Sequence, residues 1–252
     1  MIDLKTEDLI VTENIGGTTV IRINRPSKYN ALTQAMYTSF SHALVEADDD
    51  PDVRSIVITG TGKAFTAGND LDDLAIAADG DTPVQEFLRT IAYVKTPLVV
   101  AVNGIAVGVG VTMLLHCDLV YVDPAATFQV PFVDVGLVPE AASSLLLPQL
   151  IGARRATEML LAGRRLTADE AVSWGLVNEM TPDPLDRAIA VAHVIGAKAP
   201  QAVRRTKGLM RSASAEVLAR MREEDQLQVS QLESSEFAEI VAARREKRSP
   251  QF

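Results

Sequence analysis

The chain has 252 residues, 47% hydrophobic and 23% charged, with a formal net charge of −9. That size suits one large globular domain or a domain with a small appendage, and the acidic balance argues against a general nucleic-acid surface. The lone cysteine, Cys117 in an apolar run, excludes an internal disulfide framework and reads as a buried structural thiol.

Residues 1–7 are acidic and lack the apolar core of a signal peptide. Residues 18–24 alternate, are rich in β-branched side chains and end at Arg25-Pro26, which predicts a strand. Thr33 is the expected N-cap of an amphipathic helix reaching about residue 47. Residues 55–60 are a second strand closed by Gly60, and a loop carrying Gly62, Gly68 and Asn69 follows. The pattern over 84–94 is helical. Residues 98–102 read as a third, fully buried strand, 107–116 as a buried helix and 119–122 as a fourth strand.

The apolar stretch 98–115 resembles a membrane span in hydropathy alone. It contains Asn103, Gly104, Gly108 and Gly110, and His116 and Asp118 follow at once, so a strand feeding a helix explains it better. Helices are expected over 154–162, with Gly163 as the stop, and from the capping box Thr167-Ala168-Asp169-Glu170. Two more are expected over 186–198 and 215–245. Strands alternate with helices and nearly vanish after about residue 140, which predicts an α/β fold with mostly parallel pairing. The boundary is placed between a core over 1–195 and a helical region over 196–252. The C-terminal Ser249-Pro250-Gln251-Phe252 is not a peroxisomal address, so a cytoplasmic location is expected, without membrane or nucleic-acid partners.

Three segments could carry chemistry. Lys63-Ala64-Phe65-Thr66-Ala67-Gly68-Asn69-Asp70-Leu71 follows a strand, and its small residues let a ligand approach the backbone. Asn103-Gly104-Ile105-Ala106-Val107-Gly108-Val109-Gly110 is a Gly-rich turn into a helix, where unpaired N–H groups can bind an oxyanion. Met113 stands where a dinucleotide fingerprint needs Gly, and no Gly-Lys-Ser/Thr follows. The third is Glu140, between an apolar run and the helix start Ala141-Ala142-Ser143-Ser144. The plain reading is a first-turn glutamate favoured by the helix dipole. The alternative is a carboxylate whose apolar walls raise its proton affinity toward neutrality, as a proton shuttle requires. Ser143 and Ser144 are not in a nucleophile elbow, and His42, His116 and His193 lack metal-ligand spacing, so no metal is expected. Two N–H-presenting turns and one apolar-walled acid together suit proton transfer beside a thioester carbonyl.

At this point the chain resembles the crotonase (enoyl-CoA hydratase/isomerase) superfamily over nearly its full length. The resemblance rests on Arg25-Pro26…Asn30-Ala31-Leu32, Ala64-Phe65…Ala67-Gly68-Asn69-Asp70-Leu71, Val102-Asn103-Gly104…Gly108-Val109-Gly110 with Cys117-Asp118, Gly175-Leu176-Val177 and the basic tail before Phe252. It implies a spiral of ββα units with a helical C-terminal trimerisation region, homotrimers or hexamers, and acyl-CoA thioester substrates. No separate cofactor is implied, because coenzyme A is part of the substrate. It places the oxyanion-hole amides at Asn69 and Val109, and coenzyme A contacts at Ala64 and along Ala67, Gly68, Asn69, Asp70 and Leu71, with Gly108 and Phe132 beside the acyl group. Phosphate contacts would fall to Lys28 and Lys247.

The departures from that pattern discriminate among reactions. The family's hydratases use two glutamates, and at those positions this chain has Thr112 and Phe132, neither of which can act as a carboxylate base. Peroxisomal-type Δ3,Δ2-enoyl-CoA isomerases instead carry one catalytic Glu in a Pro-Glu-x-x-Ser-Ser context, which Pro139-Glu140-Ala141-Ala142-Ser143-Ser144 matches. Chlorobenzoyl-CoA dehalogenases place a nucleophilic Asp there. The expected activity is isomerisation through Glu140, with hydratase, acyl-CoA hydrolase and acyl-CoA-binding pseudoenzyme as alternatives. Asp79-Gly80-Asp81-Thr82 is expected to be a mobile loop near the acyl pocket.

Overall fold

The computed structural model describes residues 9–70, 73, 82–211 and 215–252. Leu71 and residues 79–81 lie outside them. The first two strands, β1 (Ile10–Ile15) and β2 (Thr18–Ile23), form an antiparallel hairpin. Gly16 and Gly17 close it with φ of 57° and 82°, a region that side chains resist. Helix α1 (Gln34–Asp49) begins at the Thr33 cap, whose hydroxyl accepts from Met36 N. The chain then repeats one unit three times without repeating its sequence. Strands β3 (Ser55–Gly60), β5 (Leu98–Val102) and β7 (Leu119–Val122) enter one sheet, while β4 (Ala64–Thr66), β6 (Ile105–Val107) and β8 (Thr127–Gln129) enter another. Helix α2 (Pro83–Tyr93) follows the first pair, the short α3 (Val109–Thr112) the second, and α4 (Ser143–Ile151) the third.

The larger sheet has the order β1-β2-β3-β5-β7-β10, with β10 spanning Glu179–Met180, and every pair after the hairpin is parallel. Its inner strands β3, β5 and β7 are largely apolar and buried because both faces are covered. Ile56, Ile58, Val100 and Val102 face the main core, while Val57, Val99 and Ala101 face a second cluster. That second cluster is closed by Ala188, Ala192 and neighbours on a later helix, Pro184–Gly196. The smaller sheet ends antiparallel, β8 against β9 (Leu166–Thr167). Two further helices, Ala153–Leu160 and the capping-box helix Ala168–Trp174, complete this part. Among the described residues, no helix is long and apolar enough to cross a membrane.

The structure corrects three sequence expectations. Residues 107–116 are not one helix. Val107 pairs with Gln129 in the smaller sheet, Gly108 breaks the chain at φ 55°, and α3 then passes into a 3-10 turn over Met113–His116. The stretch 215–245 is two helices, Ala215–Leu232 and Ser235–Glu246. Ser234 starts the second by accepting from Phe237 N at 3.1 Å. Glu140 is not a first-turn glutamate, because α4 starts only at Ser143. The Ala141 and Ala142 backbones are left-handed, with φ of 62° and 55°, so the segment turns sharply between Glu140 and the helix.

Candidate active site

Two backbone turns from different repeats meet at one cavity. At the first, Leu32 N donates to Gly68 O and Asp70 N donates to Leu32 O, both at 2.8 Å. This one-residue parallel bridge directs the Asn69 N–H away from Leu32. Gly68 has φ 90°, and a Cβ there would lie 3.0 Å from Val107 O, so only glycine fits. The turn is braced from the N-terminal segment. Arg25 pairs with Asp70 at 2.6 Å, and the buried Asn30 amide donates to Thr61, Ala64 and Phe65 carbonyls. At the second turn, Gly108 N donates to Gln129 O at 2.9 Å, and its φ 55°, ψ −117° conformation brings Val109 to the start of α3. The first N–H groups of a helix have no acceptor within it. Among the described residues, neither the Asn69 nor the Val109 N–H has a hydrogen-bond partner, and both residues line the cavity.

Glu140 lines the same cavity of about 200 Å³ and is only 5% exposed. Val84, Leu88, Phe132, Leu137 and Leu232 give the cavity apolar walls. Burial pushes its carboxyl up to about 8, the charges of Glu224 and Asp225 add to the shift, and the nearby Thr112 hydroxyl pulls weakly the other way. Glu140 Oε1 and Thr112 Oγ1 are both buried without a hydrogen-bond partner. An acid at that value exchanges a proton readily near neutral pH. Tyr37, fully buried on α1, donates to Asn69 Oδ1, and burial together with the Glu140 charge pushes its phenol well above the ordinary range.

Of the residues singled out by sequence, Ala67, Gly68, Asn69, Gly108, Val109, Phe132 and Glu140 line this cavity together. Phe132 contributes an apolar ring to the wall. Ala64 is buried in β4, where its carbonyl accepts from Asn30 and Asn103. Asp70 turns its carboxylate to Arg25. Lys28 and Lys247 are exposed and do not line the cavity. Leu71 is outside the described residues. Sequence reasoning missed Gln34, Tyr37, Asp225 and Gln228, and it missed Glu224, which holds the Glu140 turn. The 224, 228, 231 spacing on one helix face was a usable signal, since three polar side chains there repeat like an apolar stripe. Asp225 is a second carboxylate in the cavity wall, where the sequence had suggested Glu140 alone. Among the described residues, no cluster of three or more His, Cys, Asp or Glu side chains is placed to hold a metal ion.

Comparison with known proteins places the chain in a family. "Enoyl-CoA delta isomerase 3, peroxisomal" of Mus musculus is 40% identical over 187 residues, 71% of this chain and 58% of that protein. The chain thus spans little more than half the length of that relative. A Mycobacterium bovis protein named "Probable enoyl-CoA hydratase echA8" is 34% identical over 253 residues, covering 98% of each. A solved enoyl-CoA hydratase/isomerase from Pseudoalteromonas atlantica T6c is 43% identical and superposes with a TM-score of 0.94, over 97% of this chain and 100% of its own. The family described as enoyl-CoA hydratase/isomerase matches residues 13–252. With that match spanning almost every residue and the solved member superposing end to end, the chain belongs to the enoyl-CoA hydratase/isomerase family, the crotonase superfamily.

Proposed function

We propose that the protein is a Δ3,Δ2-enoyl-CoA isomerase in which Glu140 carries one proton from C2 to C4. The observation that carries this reading is the buried, unpaired Glu140 oxygen in the cavity that the Asn69 and Val109 N–H groups also line. In this reading the thioester oxygen of a 3-enoyl-CoA accepts hydrogen bonds from those two N–H groups. The C2 proton, acidified by both the thioester and the double bond, passes to the Glu140 carboxylate and leaves a dienolate. The same carboxyl returns the proton at C4, and the double bond moves from C3–C4 to C2–C3. The proton and the electron pair stay within the site, so no second acid, added water or separate cofactor is needed. A proton affinity raised to about 8 suits a group that must accept and release in one cycle. Hydration would need a group to activate water, and Thr112 and Phe132 cannot supply a carboxylate at the positions where the family's hydratases carry theirs.

The test is turnover of 3-enoyl-CoA by Glu140→Gln. The expected result is a folded protein that has lost isomerase activity by roughly 10³-fold or more. Near-parental turnover would remove Glu140 from the role. If Asp225→Asn instead abolished it, the role would pass to Asp225. Incubation with 2-enoyl-CoA, followed for 3-hydroxyacyl-CoA and for free coenzyme A, separates isomerisation from hydration and hydrolysis.

A further inference from the structure

Glu140 sits on a segment that cannot hold its own shape. Ala141 and Ala142 have two successive left-handed backbones without glycine, a conformation that side chains resist. Ala142 is also the N-cap of α4 and offers no side-chain cap. The missing support comes from the helix Ala215–Leu232, through contacts that span 80 and 82 residues of the chain. Glu224, only 3% exposed, accepts from Ala142 N at 2.6 Å and from Ser144 N at 3.0 Å, one carboxylate oxygen for each. One turn on, Gln228 Nε2 donates to Val138 O at 2.6 Å, and Gln231 Nε2 donates to Gly136 O at 3.0 Å. From the opposite side His116 Nε2 meets Ala141 O at 2.8 Å. The backbone is therefore gripped on both flanks of Glu140.

We infer that Glu224 is a positioning residue for Glu140, its two oxygens fixing the strained turn that aims the reacting carboxylate into the cavity. This rests on the reading of Glu140 as the proton carrier. The same placement puts a negative charge behind Glu140. The groups facing Glu140 are Glu224 and Asp225 from the Ala215–Leu232 helix, Tyr37 from α1 and Thr112 from α3. Of these, Glu224 and Asp225 oppose ionisation of Glu140 and Thr112 favours it, while Arg220 partly offsets the charge of Glu224. Losing the Glu224 charge should let Glu140 ionise at lower pH.

The experiment measures kcat, KM and the pH dependence of 3-enoyl-CoA isomerisation for the parent, Glu224→Gln, Glu224→Ala and Glu140→Gln, with thermal unfolding of each. Gln keeps one acceptor and the shape but loses the charge and the second acceptor. Glu224→Gln is expected to stay folded, lose about tenfold in kcat with little change in KM, and show its rising pH limb displaced to lower pH. Glu224→Ala should lose more, so that Gln partly rescues it. A purely structural Glu224 would lower the unfolding temperature and leave kcat per folded molecule and the pH limb unmoved. That outcome in Glu224→Gln overturns the inference, even if Glu224→Ala fails to fold. A fully active Glu140→Gln is the separate result that would sink the proton-carrier reading.

Discussion

Tyr37 donates its phenolic hydrogen bond to the side-chain oxygen of Asn69, the residue whose backbone N–H opens onto the cavity. The ring is packed on Phe87, with centroids 5.3 Å apart, so the hydroxyl is held by the core rather than by the bond itself. Helix α1 thereby reaches the Asn69 turn through one buried polar contact. Tyr37→Phe keeps the packing and removes the donor. A hydrogen bond of this kind is worth about 1 kcal/mol net, so kcat is expected to fall about fivefold with KM little changed. Unaltered kcat would show that the Asn69 side chain needs no fixing.

Gly108 offers a cleaner probe of the second turn. No atom lies within 4 Å of where a Cβ would stand, so Gly108→Ala meets no clash, yet φ is +55°. The cost is backbone strain, because φ 55° with ψ −117° is a conformation that side chains strongly resist, and relaxation of the peptide before Val109 would relieve it. The expected outcome is a folded protein with activity lowered by about 10²–10³-fold, the usual effect of losing one oxyanion donor. A strongly active variant would mean that the Val109 N–H does not serve the reaction.

Glu140 ties activity and stability to pH with opposite signs. In the proposed role as base Glu140 works ionised, so kcat/KM should rise with pH through about 8 and fall away below. Its folded proton affinity lies above the ordinary 4.5, so the folded state binds the extra proton. The contribution to stability is therefore greatest below about 4.5, declines as pH rises toward 8, and levels off above. Each unit is worth about 1.4 kcal/mol, making the whole an upper bound of several kcal/mol. Glu140→Gln should unfold at higher temperature than the parent at pH near 9, with the difference shrinking toward pH near 5. Equal unfolding temperatures across that range would contradict the buried, charge-averse carboxyl.

Thr112 sits beside Glu140 with an unpaired hydroxyl. Thr112→Val is close to isosteric and removes that buried polar group, so stability should be unchanged or slightly higher. The hydroxyl favours the ionised Glu140, so its loss should move the rising limb of the pH–rate profile to higher pH. A shift to lower pH would reverse the assigned role of Thr112.

The strand–helix alternation was legible because the fully buried strands 55–60 and 98–102 leave continuous apolar runs that only a doubly covered sheet tolerates. The capping residues Thr33 and Thr167 were legible because caps are local chemistry. The turn after β6 was misread because an apolar run of this kind fits a buried helix or a buried strand by pattern alone, and the pairing of Val107 with Gln129 decides it. The helix start after Glu140 was placed two residues early, at Ala141 rather than Ser143, because the left-handed Ala141 and Ala142 have no local signature and are held by His116 and Glu224.

By itself the sequence determined the repeat of strands and helices, the two glycine turns and an apolar-flanked acid, Glu140. These depend on backbone propensity, hydrophobic period and residue type, which are local. Tertiary structure decided the rest: that Asn69 and Val109, from two different repeats, line one cavity, that burial lifts Glu140 to about 8, and that Asp225 joins the cavity wall. It also decided that the turn under Glu140 is held from the distant helix Ala215–Leu232. Desolvation and charge proximity are properties of what surrounds a group in space, and the groups surrounding Glu140 are drawn from positions 37 to 232 of the chain.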